Sequence, residues 1–163
     1  VDRLADILRL RWEKCRHAEA WVAETADRLL LLKPTTMMNA SGEAVRAVLD
    51  WRKIPLQNFM VIVDDIDLPL GRLRLRAEGS SGGHRGLESL ESHLGTRAYA
   101  RLRAGIGRPA ENREAAEHVL ETFTPEERPV VARMVETAVK AVESWRTGGL
   151  AAALSMGNQK VEA

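Results

Sequence analysis

The sequence predicts an α/β fold with three layers, in which a mixed and mostly parallel sheet is flanked by helices. Short apolar runs rich in β-branched residues alternate along the chain with amphipathic helical stretches. Residues 59–63, Phe-Met-Val-Ile-Val, form a run that is typical of a strand buried on both faces. A length of 163 residues is close to that of one average domain, so we expect a single domain over residues 1–163.

The individual elements are predicted from hydrophobic spacing and from helix and strand breakers. Apolar residues at helical spacing predict a first helix over residues 1–10, and the runs at 18–23 and 28–32 predict two strands. Asn39 and Ser41 are candidate caps for the helix that follows. The later elements are the strand at 59–63, an alternating strand at 72–76, a helix that ends before Gly95, a strand at 101–106 and a long helix between Thr124 and Gly148.

Positive charge is concentrated in one part of a chain whose net charge is only +1. Residues 71–110 contain eight arginines, three glutamates and no lysine, whereas the next stretch is acidic. The strand at 72–76 alternates arginine with leucine, so its arginines share one face. A cationic face on a nearly neutral protein suits a polyanion, and the alternative is a solvated surface with scattered charge.

Composition disfavours several classes of protein. No apolar run approaches the roughly 20 residues of a membrane-spanning helix, so we expect no membrane partner. Cys15 is the only cysteine, which excludes an internal disulfide and a cysteine-rich zinc cage. A reducing cytoplasm therefore fits best.

A glycine-rich loop at residues 79–86, Gly-Ser-Ser-Gly-Gly-His-Arg-Gly, precedes a predicted helix. Glycine lets backbone N–H groups approach an anion, and a helix N-terminus favours negative charge. The loop lacks the Lys-Ser/Thr pair of a P-loop and the Rossmann glycine spacing, which disfavours nucleotide binding. His84 and Arg85 can still contact a phosphate backbone, although a tight turn alone also explains the glycines.

Three aspartates, Asp64, Asp65 and Asp67, follow the strand at 59–63. Ligands of open α/β sheets bind at the carboxyl ends of strands, so these side chains are candidate functional groups. Clustered carboxylates bind Mg²⁺, and a magnesium-dependent phosphohydrolase is one hypothesis. A turn, which Pro69 favours, is a second interpretation, and a single aspartate that orients a histidine is a third.

Four segments occur in a family-specific order and spacing. They are Leu-Leu-Lys-Pro-Thr-Thr-Met-Met-Asn-Ala-Ser-Gly-Glu-Ala-Val at 31–45, Val-Asp-Asp-Ile-Asp-Leu-Pro-Leu-Gly at 63–71, Gly-Ser-Ser-Gly-Gly-His-Arg-Gly-Leu at 79–87 and Arg-Leu-Arg-Ala-Gly-Ile-Gly-Arg-Pro at 101–109. Together they resemble the bacterial peptidyl-tRNA hydrolases over nearly the whole chain. The resemblance implies hydrolysis of the ester between a peptide and the 3′-ribose of tRNA by a monomer. It implies no metal, no other cofactor and no protein partner.

The resemblance also implies roles for individual residues. The family uses a histidine base that activates water, and Asp64 matches the aspartate that orients this histidine. Asn39 matches an asparagine that contacts substrate near the scissile ester, so Asp64 and Asn39 are the catalytic candidates. His84, Arg85, Met37 and Asn39 are the candidates for substrate binding.

Two of these positions depart from the family's pattern. Arg85 stands where many members have asparagine, so an amide that donates and accepts hydrogen bonds becomes a donor-only cation. Met37 stands where the family usually has an aromatic residue, and a thioether packs less rigidly against a ribose or base.

The sequence begins at Val1, in a helix that resembles the part of the family just after its catalytic histidine. We therefore expect that the family's first strand and its Arg-His-Asn segment are missing here, which would expose an edge of the strand at 59–63. The histidines present, all in other contexts, are His17, His84, His93 and His118.

Two hypotheses about function follow. The first is an esterase that acts on peptidyl-tRNA and carries its base upstream of Val1. The second is a noncatalytic RNA-binding relative that kept the cationic surface and lost the base.

Overall fold

The computed structural model describes residues 1–109 and 114–161 of the chain. The chain forms two compact units, each built from separate stretches of sequence. The first unit consists of Val1–Phe59 and Glu78–Tyr99, and the second consists of Met60–Ala77 and Ala100–Ala163.

The first unit places helices beside a small antiparallel sheet. Its elements are α1 (Asp2–Ile7), β1 (Glu13–Lys14), β2 (Ala20–Glu24), β3 (Leu30–Pro34), α2 (Ser41–Arg52) and α3 (Arg85–Leu94). The strand order is β1-β2-β3, with Val22 opposite Leu32. Val48 of α2 forms a buried cluster with Cys15 and Ala20, so α2 covers one face of this sheet.

The second unit is built on a mixed sheet. Its elements are β4 (Met60–Asp65), β5 (Leu73–Arg76), β6 (Ala100–Gly105), α4 (Ala115–Leu120) and α5 (Arg128–Ala153). The strand order is β4-β6-β5, in which β4 runs parallel and β5 antiparallel to β6. The chain near its C-terminus extends this sheet, because Leu73 N–H donates to the carbonyl of Gln159 at 2.8 Å and Val161 N–H donates to that of Gly71 at 2.9 Å.

Helix α5 covers one face of the second sheet. It contacts β5 and β6, whose inward residues Leu73, Leu75 and Leu102 are 0 % exposed. The helix is 26 residues long and is interrupted at Gly149, whose φ is +71°. In the described part of the chain, no helix has both the length and the apolar character needed to cross a membrane.

The predicted α/β class, with a mixed sheet flanked by helices, is confirmed. The parallel share is smaller than the prediction of a mostly parallel sheet, since among the described strands only β4–β6 is parallel. The physical reason is connection length. Residues 25–29 allow only an antiparallel hairpin between β2 and β3, whereas β4 and β6 are separated by a stretch that includes α3.

Strand β4 is less buried than its apolar composition predicts. It lies at the end of the order β4-β6-β5 in the described residues and pairs with β6 on one side. Ile62 is 37 % exposed, and Met60, Val61 and Val63 are half-buried. The prediction of burial on both faces is therefore wrong for this strand.

Candidate active site

In the first unit, the turn that carries Asn39 lies against the start of α3. The 3-10 turn Met38–Ala40 packs on α3. A Cβ atom at Gly86 would lie 2.7 Å from Met38 Sδ, so glycine at this position permits the close approach. The fold thus brings Asn39 towards the helix start formed by His84 and Arg85, two segments that the sequence singled out separately.

A close crossing of α2 and α3 holds this arrangement. The backbone N–H of Gly42 donates to Ser89 Oγ at 2.9 Å in a buried hydrogen bond. A Cβ atom at Gly42 would lie 2.2 Å from the carbonyl oxygen of Ser89, which is a backbone atom. Only glycine fits at this crossing.

Asn39 does not act as a helix cap, contrary to the prediction. The N-cap residue of α2 is Ala40, and its methyl side chain accepts no hydrogen bond from the first turn of the helix. The hydroxyl of Ser89 accepts the N–H of Gly42 at the helix start, a role for which the sequence suggested Asn39 or Ser41. Asn39 is exposed, and its amide makes no hydrogen bond with the described residues. The amide is therefore available to a ligand.

His84 is the N-cap of α3. The backbone N–H groups of Gly86 and Leu87 donate to His84 Nδ1 at 3.1 and 3.2 Å. Because Nδ1 accepts, the proton of the neutral ring lies on Nε2. Nδ1 therefore accepts hydrogen bonds from the first turn of α3, and its lone pair is not available to act as a base in this arrangement.

A cavity of about 410 Å³ lies beside Asn39 within the first unit. Met37, which is 78 % exposed, and Asn39 contribute to its lining. The other lining residues are His17, Ala18, Glu19, Thr36, Ala40, Glu43, Ala44 and Ala47. The sequence did not predict this cavity, since its walls combine the segment just before β2 with the segment that runs from β3 into α2.

In the second unit, two of the three aspartates pair with arginines. The buried Asp65 accepts a hydrogen bond from Arg103 Nη1 at 3.1 Å. Asp67 Oδ1 accepts two hydrogen bonds from the guanidinium of Arg108, at 3.1 and 2.7 Å. Among the residues that the structure describes, no three His, Cys, Asp or Glu side chains are grouped to hold a metal ion. The described side chains give the magnesium hypothesis no support.

Asp64 is half-buried near the end of β4, opposite Ala104 of β6. Its side chain and that of Asp65 lie on opposite faces of the sheet, because neighbours in a strand alternate. Asp64 belongs to the second unit and Asn39 to the first. The hypothesis that the two side chains line one cleft therefore stays a prediction.

Strand pairing brings two further arginines to the predicted cationic face, although both are largely buried. In the register of β5 and β6, Arg74 lies opposite Arg103 and Arg76 lies opposite Arg101. Directly paired residues share a face, so Arg72, Arg74 and Arg76 lie on the same side as both arginines of β6. The exposed members are Arg74 and Arg76, whereas Arg101 is 1 % exposed. The alternation Arg-Leu-Arg at 101–103 is the sequence signal that could have placed Arg101 and Arg103 on one face.

Comparison with known proteins decides the family. The whole chain, residues 1–163, matches the family described as "Peptidyl-tRNA hydrolase". The chain belongs to the peptidyl-tRNA hydrolase family. The peptidyl-tRNA hydrolase of Synechocystis sp. is 44 % identical over 163 residues, which cover 98 % of this chain and 84 % of the relative. That of Synechococcus sp. strain JA-3-3Ab is 53 % identical over 128 residues, which cover 78 % of this chain and 57 % of the relative.

A crystal structure of the peptidyl-tRNA hydrolase from Acinetobacter baumannii shares the fold. Its TM-score is 0.90 at 25 % sequence identity, over 99 % of this chain and 84 % of that one. The family resemblance read from the sequence is therefore confirmed. The expectation that the family's first strand and histidine segment are missing gains no support from the family match, which runs over residues 1–163.

Three further histidines of this family member have structural contacts. His93 Nδ1 donates to the carbonyl of Ser89 at 2.8 Å within α3. His118 Nε2 donates to the carbonyl of Gly107 at 3.0 Å. The ring of His17 stacks on Trp51, with ring centroids 4.3 Å apart.

Proposed function

We propose that this protein hydrolyses the ester between a peptide and the 3′-ribose of tRNA, and so returns free tRNA to translation. The observation that carries the proposal is the family match over residues 1–163. A cationic sheet face and an uncommitted amide at Asn39 add support from the structure.

The arginine face of the second unit binds tRNA phosphates in this proposal. Arg72, Arg74 and Arg76 supply the exposed or half-exposed charges of β5. Guanidinium groups bind phosphate oxygens through charge-assisted and often bidentate hydrogen bonds. Arg85, which is exposed at the start of α3, adds a further cation where many relatives have an amide.

Asp64 and Asn39 are the residues we assign to the chemistry. Asp64 orients the histidine that activates water, as the resemblance implies, and keeps that ring in the tautomer that accepts a proton. The Asn39 amide donates to or accepts from the substrate near the ester, and Met37 packs against it. His84 contributes to substrate binding while its Nδ1 caps α3.

We assign the catalytic base to none of the four histidines present. Nδ1 of His84 accepts two backbone N–H groups, and His93 and His118 each donate to a backbone carbonyl. His17, stacked on Trp51, lies in a sequence context unlike that of the family's base.

The test measures deacylation of an N-acetylated aminoacyl-tRNA together with binding of uncharged tRNA. Hydrolysis that survives EDTA supports the esterase and counts against the magnesium hypothesis. Binding without hydrolysis would contradict the proposal and favour the noncatalytic RNA-binding relative. The variants His17→Ala and His84→Asn test whether either of these histidines acts as the base.

We also propose that the protein acts in the cytoplasm as a monomer, with one domain over residues 1–163 and no protein or membrane partner. The buried, unpaired thiol of Cys15 supports a reducing compartment. Light scattering of the purified protein tests the oligomeric state.

A further inference from the structure

We propose that Asn158 is a positioning residue for tRNA binding, which holds the guanidinium group of Arg76 in place on the arginine face of the second unit. The inference rests on the proposed function, because it takes tRNA phosphate as the ligand of Arg76. Asn158 ends the 3-10 turn Met156–Asn158 that follows α5, and it is 82 residues away from Arg76 in the chain. It lies outside all four of the family-like segments of the sequence.

The side-chain amide of Asn158 pairs with the backbone of β5. Its Oδ1 atom accepts the N–H of Leu75 at 3.3 Å, and its Nδ2 atom donates to the carbonyl of the same residue at 3.3 Å. Nδ2 also donates to the carbonyl of Leu154 at 2.9 Å, just after α5. The amide is thus held from both of its ends, by the strand on one side and by the helix end on the other.

Close packing fixes the turn that carries Asn158. A Cβ atom at Gly157 would lie 2.5 Å from Leu75 Cβ, so glycine lets the turn approach the strand this closely. Gly157 is buried, and Leu75 is 0 % exposed. The next residue, Gln159, continues the contact, because its carbonyl accepts the N–H of Leu73 at 2.8 Å. The backbone on both sides of Asn158 therefore restricts where its amide can lie.

The guanidinium group of Arg76 bonds to this amide through one nitrogen. Nη1 of Arg76 donates to Asn158 Oδ1 at 3.1 Å and to the carbonyl of Leu75 at 3.0 Å. Its Nε and Nη2 atoms make no hydrogen bond with the described residues, and no described carboxylate pairs with it. Both acceptors are uncharged, so an exposed positive charge is oriented without being neutralised. The unbonded nitrogens can bind a phosphate through two parallel hydrogen bonds.

Arg74 lies on the same face of β5 and has no such support. It is exposed, and its guanidinium group makes no hydrogen bond or ion pair with the residues that the structure describes. A phosphate that binds Arg74 must order a long side chain, which costs affinity, whereas Arg76 is ordered before the phosphate arrives. The strand thus carries a matched pair of arginines, of which only Arg76 contacts Asn158.

A double-mutant cycle on tRNA binding tests the inference. Affinity for uncharged tRNA is measured for Asn158→Ala, for Arg76→Ala and for the double variant, and the cycle is repeated with Arg74→Ala. We expect Asn158→Ala alone to weaken binding about three- to tenfold, the range for ordering one long side chain. That loss should disappear in the Arg76→Ala background and persist in the Arg74→Ala background, because only residues in contact couple.

The variant Asn158→Asp separates orientation from charge. Its carboxylate can still accept from Leu75 and Arg76, but it also pairs with the guanidinium charge. We expect weaker tRNA binding and a salt slope that is smaller by about one or less, with a smaller effect in the Arg76→Ala background. This variant keeps the cycle decisive if Asn158→Ala does not fold.

The side-chain ¹⁵Nε–H signals of the two arginines report the contact in the absence of tRNA. In the unsubstituted protein, the heteronuclear NOE of Arg76 should exceed that of Arg74, and Asn158→Ala should lower the value for Arg76 only. A purely structural role for Asn158 would lower the free energy of unfolding in urea without changing the difference between the two arginines.

Equal losses of affinity from Asn158→Ala with and without Arg76 would overturn the inference, as would an unchanged affinity or equal NOE values for the two arginines. Binding of tRNA with additive losses would refute only the role of Asn158. Absence of tRNA binding by the unsubstituted protein would instead refute the proposed function, and the inference with it.

Discussion

Arg74 on β5 lies directly opposite Arg103 on β6, so two guanidinium groups share one face of the second sheet. Arg103 is partnered by Asp65, whereas Arg74 is exposed and forms no ion pair with the residues that the structure describes. Like charges opposite each other on antiparallel strands destabilise the sheet. The ion pair with Asp65 offsets this repulsion at Arg103, which leaves the exposed Arg74 as a charge that an anionic partner can neutralise.

Replacing Arg74 with alanine should weaken tRNA binding and reduce its dependence on salt. One lost phosphate contact lowers the slope of log K against log salt by about one or less. The measurement is tRNA affinity across a salt series. Arg133→Ala, an exposed arginine on α5, is the matched control and should keep the slope of the unsubstituted protein. An unchanged slope for Arg74→Ala would remove β5 from the tRNA surface.

Replacing Asp64 with asparagine should lower kcat and leave tRNA affinity unchanged, in a preparation that hydrolyses peptidyl-tRNA. Loss of tautomer control costs roughly 10²- to 10⁴-fold in turnover in comparable catalytic sites. Asp67→Asn is the control, because Asp67 is exposed and pairs with Arg108. A large loss of tRNA affinity with Asp64→Asn would show that this carboxylate acts in binding.

Replacing His84 with alanine should destabilise the protein by about 1 kcal/mol, the usual cost of losing an N-cap side chain. Asparagine at this position can accept the same N–H groups through its side-chain oxygen, so His84→Asn should recover most of the loss. Urea denaturation of the unsubstituted protein, His84→Ala and His84→Asn compares their free energies of unfolding. If both variants lost equal stability, the cap hydrogen bonds would not be the cause.

Replacing Gly42 with alanine should destabilise the first unit by roughly 1–3 kcal/mol, because the new Cβ meets a backbone carbonyl that cannot rotate away. Arg46→Ala on the exposed side of α2 loses an ion pair with Asp50 at 2.7 Å and should cost only about 0.3–0.5 kcal/mol. Thermal unfolding of both variants distinguishes the two magnitudes. A neutral Gly42→Ala would mean that α2 and α3 separate easily.

Several elements were predictable because their signals are local. The sequence Thr-Pro-Glu-Glu at 124–127 is typical of a capping box, and Thr124 and Glu127 do exchange N–H to side-chain bonds of 2.9 and 3.3 Å, although α5 itself begins at Arg128. The long helix was predicted to end at Gly148, whereas it is interrupted at Gly149 and continues to Ala153. The short strand Glu13–Lys14 was missed, since two residues carry no periodicity.

The site was predictable only as separate motifs. Met37, Asn39, His84 and Arg85 were identified from sequence segments, but the crossing at Gly42 that brings the Asn39 turn against α3 has no sequence signal of its own. The capping role of His84 was also missed, because histidine is not among the usual cap residues.

The sequence by itself determined the family, the α/β class and the alternation of leucine with arginine on β5, because these depend on residue types at short spacing. Tertiary structure decided that Arg101 and Arg103 join the β5 arginines, that Ser89 replaces Asn39 as the partner of the α2 start, and that β4 is not buried on both faces. The physical reason is that register, helix crossing and strand order arise from contacts between distant segments. A local pattern shows which face of an element is apolar, but the neighbour that covers that face is chosen only when the chain folds.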